Sequence, residues 1–144
     1  MAEQNFKNHA RFVPMYHFIL PIAILALIIG SSINLFDAIN HNDGLYSASL
    51  ICLMSMVMLF LWFYLRAFAL KAQDRAIRAE ESLRYFIATG KPLDKRLKMG
   101  QIIALRFAGD DEFVALVNKA ASENMSRKDI KMAVKNWRAD NNRA

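Results

Sequence analysis

The chain has 144 residues, 55% of them apolar, and 19 Lys/Arg against 13 Asp/Glu give a net charge of +6. That length admits one membrane hairpin and one small soluble domain, and excludes a multidomain architecture. The lone cysteine, Cys52, excludes an internal disulfide and reads as a small apolar packing residue.

Residues 1–14 form a short N-terminal segment carrying Lys7, His9 and Arg11. Residues 15–70 are strongly apolar and contain two stretches, 17–36 and 48–70. Each is long enough to cross a bilayer as a helix, which needs about 20 apolar residues. The first stretch starts late for a signal peptide, and no Ala-x-Ala pattern follows Gly30, Ser31 and Ser32. It is therefore expected to be retained. Pro14 and Pro21 lie before and near its start, where losing one backbone donor costs little. The link, 37–47, holds the turn formers Asn40, His41, Asn42, Asp43 and Gly44. A link this short makes the two spans antiparallel.

Lys7 and Arg11 precede the first span, and Arg66, Lys71, Arg75 and Arg78 flank the second. The link carries Asp37 and Asp43 but no Lys or Arg. The positive-inside rule then predicts cytoplasmic termini and an outward link in a multi-pass membrane protein. Tyr16, His17 and Phe18 suit one headgroup interface, and Trp62, Phe63, Tyr64 and Phe68 suit the other.

Helices associate in lipid through close contact, so small residues mark interfaces. The first span offers Ala23, Ala26, Gly30 and Asn34 on one stripe, and the second offers Ala48, Cys52 and Ser55. These stripes are expected to face each other, with the Asn34 amide bonding the link or the partner helix. No Asp, Glu, Lys or Arg lies deep in either span, which argues against an ion path within the hairpin alone. Met54, Met56 and Met58 read as adaptable packing.

Beyond Leu70 the helical signal continues, because 71–89 contains no Gly or Pro. Ala72, Ala76, Ala79, Leu83, Phe86 and Ile87 recur at three- and four-residue steps and draw one apolar stripe. Asp74–Arg78 and Glu80–Arg84 are acid-before-base pairs four apart. Gly90 and then Pro92 end the pattern. One helix over 48–89 is predicted, about 60 Å long at 1.5 Å per residue, with 71–89 extending into the cytoplasm.

Residues 90–144 form a basic cytoplasmic domain of short helices, predicted over 101–108, 110–122 and 127–139, with a polar tail over 140–144. The acids Asp110, Asp111 and Glu112 open the second helix, where the helix dipole favours them. Ser126 and Asp129 form a capping-box pattern before the third. About a dozen apolar side chains make an undersized core, so help from the long helix or a partner is expected. The chain is thus all-α: an antiparallel transmembrane hairpin whose second helix extends into the cytoplasm, followed by a small helical bundle.

The chemistry is sparse. His9, His17 and His41 lie at different depths or sides, and Asp37, His41 and Asp43 lack a further strong ligand. No phosphate-binding glycine motif, metalloprotease motif or nucleophile–base pattern occurs. The expectation is a chain without catalytic residues, cofactor or metal. The last two short helices have helix-turn-helix proportions, and Arg127, Lys128, Lys131, Lys135 and Arg138 are candidate contacts for a partner or for phosphates. The expected partners are membrane proteins of a larger assembly and anionic lipid at the cytoplasmic face. Nucleic acid or the ribosome is the alternative, and a transporter component a weaker one.

Four runs, Ala104-Leu-Arg-Phe-Ala108, Asp110-Asp-Glu112, Asp129-Ile-Lys131 and Asn136-Trp-Arg-Ala-Asp140, carry a resemblance in the C-terminal third. There the chain resembles a family of small bacterial two-span membrane proteins of unknown function, some labelled transporter permease. The resemblance extends more loosely over the two spans. It implies a bacterial cytoplasmic membrane and supplies no activity. The leading expectation is a non-enzymatic accessory or scaffold subunit of a larger membrane complex.

Overall fold

The computed structural model describes residues 13–140, and Lys7, His9, Arg11 and the end of the polar tail lie outside them. Its regular structure is helical: a π-helical turn Met15–Ile19, α1 Leu20–His41, α2 Leu45–Thr89, α3 Met99–Leu105, α4 Asp110–Ser122 and α5 Arg127–Ala133. The described residues divide into two compact units, 13–68 and 69–140. The single helix α2 contributes to both.

In the first unit, helical backbone begins at Met15, so Pro21 sits inside a helix rather than at its start. Proline lacks the N–H that a regular turn requires and its ring crowds the carbonyl four residues back. The chain widens just before it, and Leu20 N–H bonds to Met15 O, five residues back. Met15–His41 and the start of α2 are both apolar and long enough to cross a membrane.

The non-helical part of the link is much shorter than expected. Helix α1 runs through Asp37 to His41, and only Asn42, Asp43 and Gly44 turn. No helix breaker stands between 37 and 41. Asn42 and Gly44 take left-handed conformations, at φ 53° and 65°. Both residue types tolerate that region, which reverses the chain in three residues.

The antiparallel seam is pinned at two depths. Ser31 Oγ donates to Ser55 Oγ at 3.2 Å. Tyr16 Oη donates to Trp62 O at 2.5 Å and Trp62 Nε1 donates to Tyr16 O at 3.3 Å, with the two rings stacked. Arg66 lies 5.5 Å above the Tyr16 ring centroid. Tyr16 and Trp62 therefore share one end of the hairpin, which corrects their assignment to opposite interfaces. In an antiparallel pair the start of one span must meet the end of the other.

In the second unit, α3, α4 and α5 pack on the last part of α2. Ile77 and Tyr85 of α2 join Leu97, Ile102, Leu105, Phe113, Val117 and Ile130 in one buried core. The long helix thus completes a core that the short helices make too small by themselves. Gly90, at φ 69°, ends α2. Helix α4 matches its predicted bounds. It closes with Asn124 left-handed and Met125 N–H reaching back to Ala120 O. Ser126 caps α5 by accepting from Asp129 N–H.

Two helix ends are corrected. Helix α3 stops at Leu105 rather than at 108, and α5 stops at Ala133 rather than at 139. The released segments find each other: Ala108 and Trp137 form an antiparallel bridge. Gly109 N–H donates to Asn136 O and Arg138 N–H to Phe107 O, both at 2.8 Å. Backbone pairing to a distant segment replaces the last helical turns.

Gly109 sits inside that junction. A Cβ there would stand 2.6 Å from Asp111 Oδ1 and 3.1 Å from both Cβ and O of Asn136. The Asn136 carbonyl cannot retreat without stretching its bond to Gly109 N–H. Gly109→Ala is expected to destabilise the domain by about 1–3 kcal/mol through overpacking. Urea titration with Trp137 fluorescence as the readout checks this.

Candidate functional site

The charged side of α2 that faces the bundle is the most organised polar feature of the second unit. Its centre is Arg84, whose side chain is 13% exposed. Arg84 Nε donates to Asp110 Oδ1 at 2.8 Å, Nη2 to Ala108 O at 2.7 Å, and Nη1 to Glu81 Oε2 at 3.2 Å. Its guanidinium carbon lies 4.0 Å above the Phe113 ring centroid. One planar fork therefore joins α2 to the turn after α3 and to the N-terminus of α4, a geometry that a lysine cannot reproduce. Tyr85 Oη adds a bond to Asn118 Oδ1 at 3.0 Å.

Glu81 is buried beside Arg84. Burial pushes its carboxyl above the ordinary glutamate range, and the Arg84 charge and hydrogen bond pull part of the way back. An acid whose folded value is raised stabilises the fold below its unfolded value, and that contribution is lost as pH rises through the folded value. Domain stability is expected to decline across this window. Glu81→Gln is expected to flatten the decline and to change stability at neutral pH by less than about 1 kcal/mol, because relief from burying a charge offsets a weaker bond to Arg84. Urea titrations at a series of pH values read both effects.

A second buried pair lies nearby. Arg106 Nη2 stands 2.8 Å from Asp140 Oδ2 as an ion pair, and Arg106 also lies over the Phe107 ring. Glu80, Glu81, Arg106, Arg138 and Asp140 line a cavity of about 290 Å³, together with Gln73, Ala76, Ile77 and Ala139. Three carboxylates and two guanidinium groups line it, so its charge is mixed. The acids of α4 also serve as clasps: Glu112 accepts from the backbone N–H of Lys135 and Asn136, and Asp111 accepts from the Asn136 amide. Outside the bundle, in the loop after α2, Asp94 accepts from Arg96, which holds its carboxyl down to about 2.

The sequence-predicted residues fall in several places. On α2, Ala48 and Ser55 are buried and Cys52 is half-buried. On α1 the seam is displaced: Ala23, Ala26, Gly30 and Asn34 are exposed, while Ile24, Ser31 and Ala38 are buried. One position of shift rotates a helix by about 100°, and Ile24, Ser31 and Ala38 outcompete the alanine–glycine stripe because Ser31 finds Ser55. Among the described residues Asn34 makes no hydrogen bond to the link or to α2, contrary to its expected role.

The five basic candidates do not form one face. Arg127, Lys128, Lys135 and Arg138 are exposed, but Lys131 is buried, with Nζ 5.2 Å from the Phe107 ring centroid. With α5 only seven residues long, Lys135 and Arg138 lie beyond it on extended chain. The helix-turn-helix proportions are therefore not present. The Glu80–Arg84 pair is also replaced: Arg84 chooses Glu81 and Asp110.

Sequence reasoning missed Glu81 and Arg106 as buried charges and Arg84 and Asp140 as half-buried ones. Arg106 did carry a signal, since it stands alone in the apolar run 102–108. Among the described residues no group of three His, Cys, Asp or Glu side chains is placed to hold a metal ion. No curated protein and no solved structure matches the chain. A family model does match, over residues 1–144, and the chain belongs to that family of unknown function, DUF6526.

Proposed function

We propose that this protein is a non-enzymatic accessory or scaffold subunit of a larger bacterial cytoplasmic-membrane assembly, with both termini in the cytoplasm. One observation carries the reading: α2 runs without a break from an apolar hairpin into a folded, highly charged helical domain. The hairpin's outer surface is apolar, with Ile22, Phe36, Leu53, Phe60 and Phe63 all more than half exposed. Such a surface calls for lipid or other spans around it. Arg66 near the end of the second span and Lys71, Arg75 and Arg78 after it favour anionic lipid on that side. The domain's internal charges are spent on holding α2 to the bundle, which leaves its outer faces for a partner.

Extraction in a gentle detergent followed by native mass measurement tests this. A complex larger than the 16.5 kDa chain is the expected result. A homogeneous monomer with a stable cytoplasmic domain overturns it.

A further inference from the structure

The apolar stripe predicted beyond residue 70 does not face the bundle. Ile77, Glu81 and Tyr85 turn inward, at 6%, 5% and 8% exposure. Ala72, Ala79, Leu83 and Phe86 lie on the opposite side, with Ala76 and Ile87 at its edges, and all six are exposed, Leu83 at 59%, Phe86 at 54% and Ile87 at 76%. A folded domain has covered one side of this helix and left its most apolar side bare.

The bare side has a coiled-coil pattern. Ala72, Ala76, Ala79, Leu83 and Phe86 follow one another at steps of four, three, four and three. These are the d, a, d, a and d positions of a heptad, the repeat that buries a seam between two helices. The same phase puts Arg75 at g and Glu80 at the following e. In a parallel two-stranded coiled coil, a g residue meets the e residue five positions later on the partner. Arg75 therefore meets Glu80 of a second copy, and the two-fold axis repeats the pair. Among the described residues neither side chain has an ion pair within its own chain. The next g and e residues, Ser82 and Ile87, place no like charges together.

We infer that residues 72–87 of α2 form a parallel, two-fold coiled-coil interface with a second copy of this chain. The inference rests on the membrane reading above, which holds two copies with the same orientation. A seam of about two heptads is short for free helices in water. Anchoring both copies in one bilayer raises their effective concentration and removes part of the association cost. Three alanines in succession let the helices approach closely, and Leu83 and Phe86 supply the larger buried area.

The test uses the full chain in native membranes, in a Cys52→Ala background, with single cysteines replacing Ala79, Leu83, Arg78 or Ala88. A residue at a or d faces its own copy across the two-fold axis, whereas 78 and 88 point away. Copper-phenanthroline oxidation is expected to give a product of doubled mass from positions 79 and 83, at roughly five-fold or higher yield than from 78 and 88. Arg75→Glu or Glu80→Arg alone is expected to lower the yield at 79, and the two together to restore it. Equal yields at all four positions, or a double exchange that fails to restore, overturns the inference. A chain that resists carbonate washing yet gives no seam-specific product also overturns it, and leaves the accessory-subunit reading standing. A chain that washes out of the membrane with the seam-specific product intact overturns the membrane reading instead.

Discussion

Replacing Arg84 by alanine is expected to destabilise the helical domain by about 3–5 kcal/mol, the cost of breaking a buried ion pair and leaving its partner uncompensated. The reason is the number of contacts that end together. Arg84 serves Asp110, the Ala108 carbonyl and Glu81, and covers the Phe113 ring. Without it, Glu81 remains buried with its desolvation cost and no cation beside it on α2. Arg84→Lys is expected to recover less than half of the loss, because an ammonium cannot span three acceptors in one plane. Pairing Arg84→Met with Glu81→Gln is expected to recover more than the lysine does, since the orphaned charge is then gone. Urea unfolding in detergent micelles, followed by Trp137 fluorescence in a Trp62→Phe background, measures all three. An Arg84→Ala protein as stable as the parent would show that α2 is held to the bundle by its apolar contacts alone.

Phe107→Ala is also expected to cost about 3–5 kcal/mol, the usual range for truncating a buried phenylalanine. Phe107 is fully buried, yet it sits on the turn after α3 rather than inside a helix. Its ring is 5.0 Å from that of Trp137, and Arg106 and Lys131 approach it as cations. The ring therefore fills the space beneath the extended 134–140 segment and gives Lys131 a reason to be buried. Truncation is expected to free Trp137 as well, so its near-UV circular dichroism should collapse before the far-UV helix signal does. Phe107→Leu keeps most of the volume and is expected to cost roughly half as much. Loss of helix and loss of the Trp137 signal at the same denaturant concentration would mean that the segment and the core unfold as one unit.

The hairpin, the unbroken α2 and α4 were legible in the sequence because each depends on local information. Span length follows from runs of apolar residues. The end of α2 follows from Gly90, and the start of α4 follows from three acids ahead of an amphipathic run. Short-range rules failed where a distant segment competed. Nothing near residue 133 stops a helix, and α5 ends there because Trp137 and Arg138 pair with Ala108 and Phe107.

The choice of face was harder still. On α1, Ala23–Ala26–Gly30 and Ile24–Ser31–Ala38 are both plausible seams, and only Ser55 on the other helix selects the second. On α2 beyond the span, the apolar stripe was legible as a stripe, but its periodicity does not say which side the bundle covers. The bundle took the opposite side because Arg84 finds Asp110 26 residues away and Ala108 O 24 residues away.

The sequence by itself determined the number of helices, their periodicity and the concentration of charge after the second span. Those properties are set by residues within one or two turns of each other. Only the tertiary structure decided which stripes are buried, which charges are enclosed and which apolar face is left bare. Those outcomes depend on partners brought together from more than twenty residues away, where packing and desolvation outweigh the preference of any single helix.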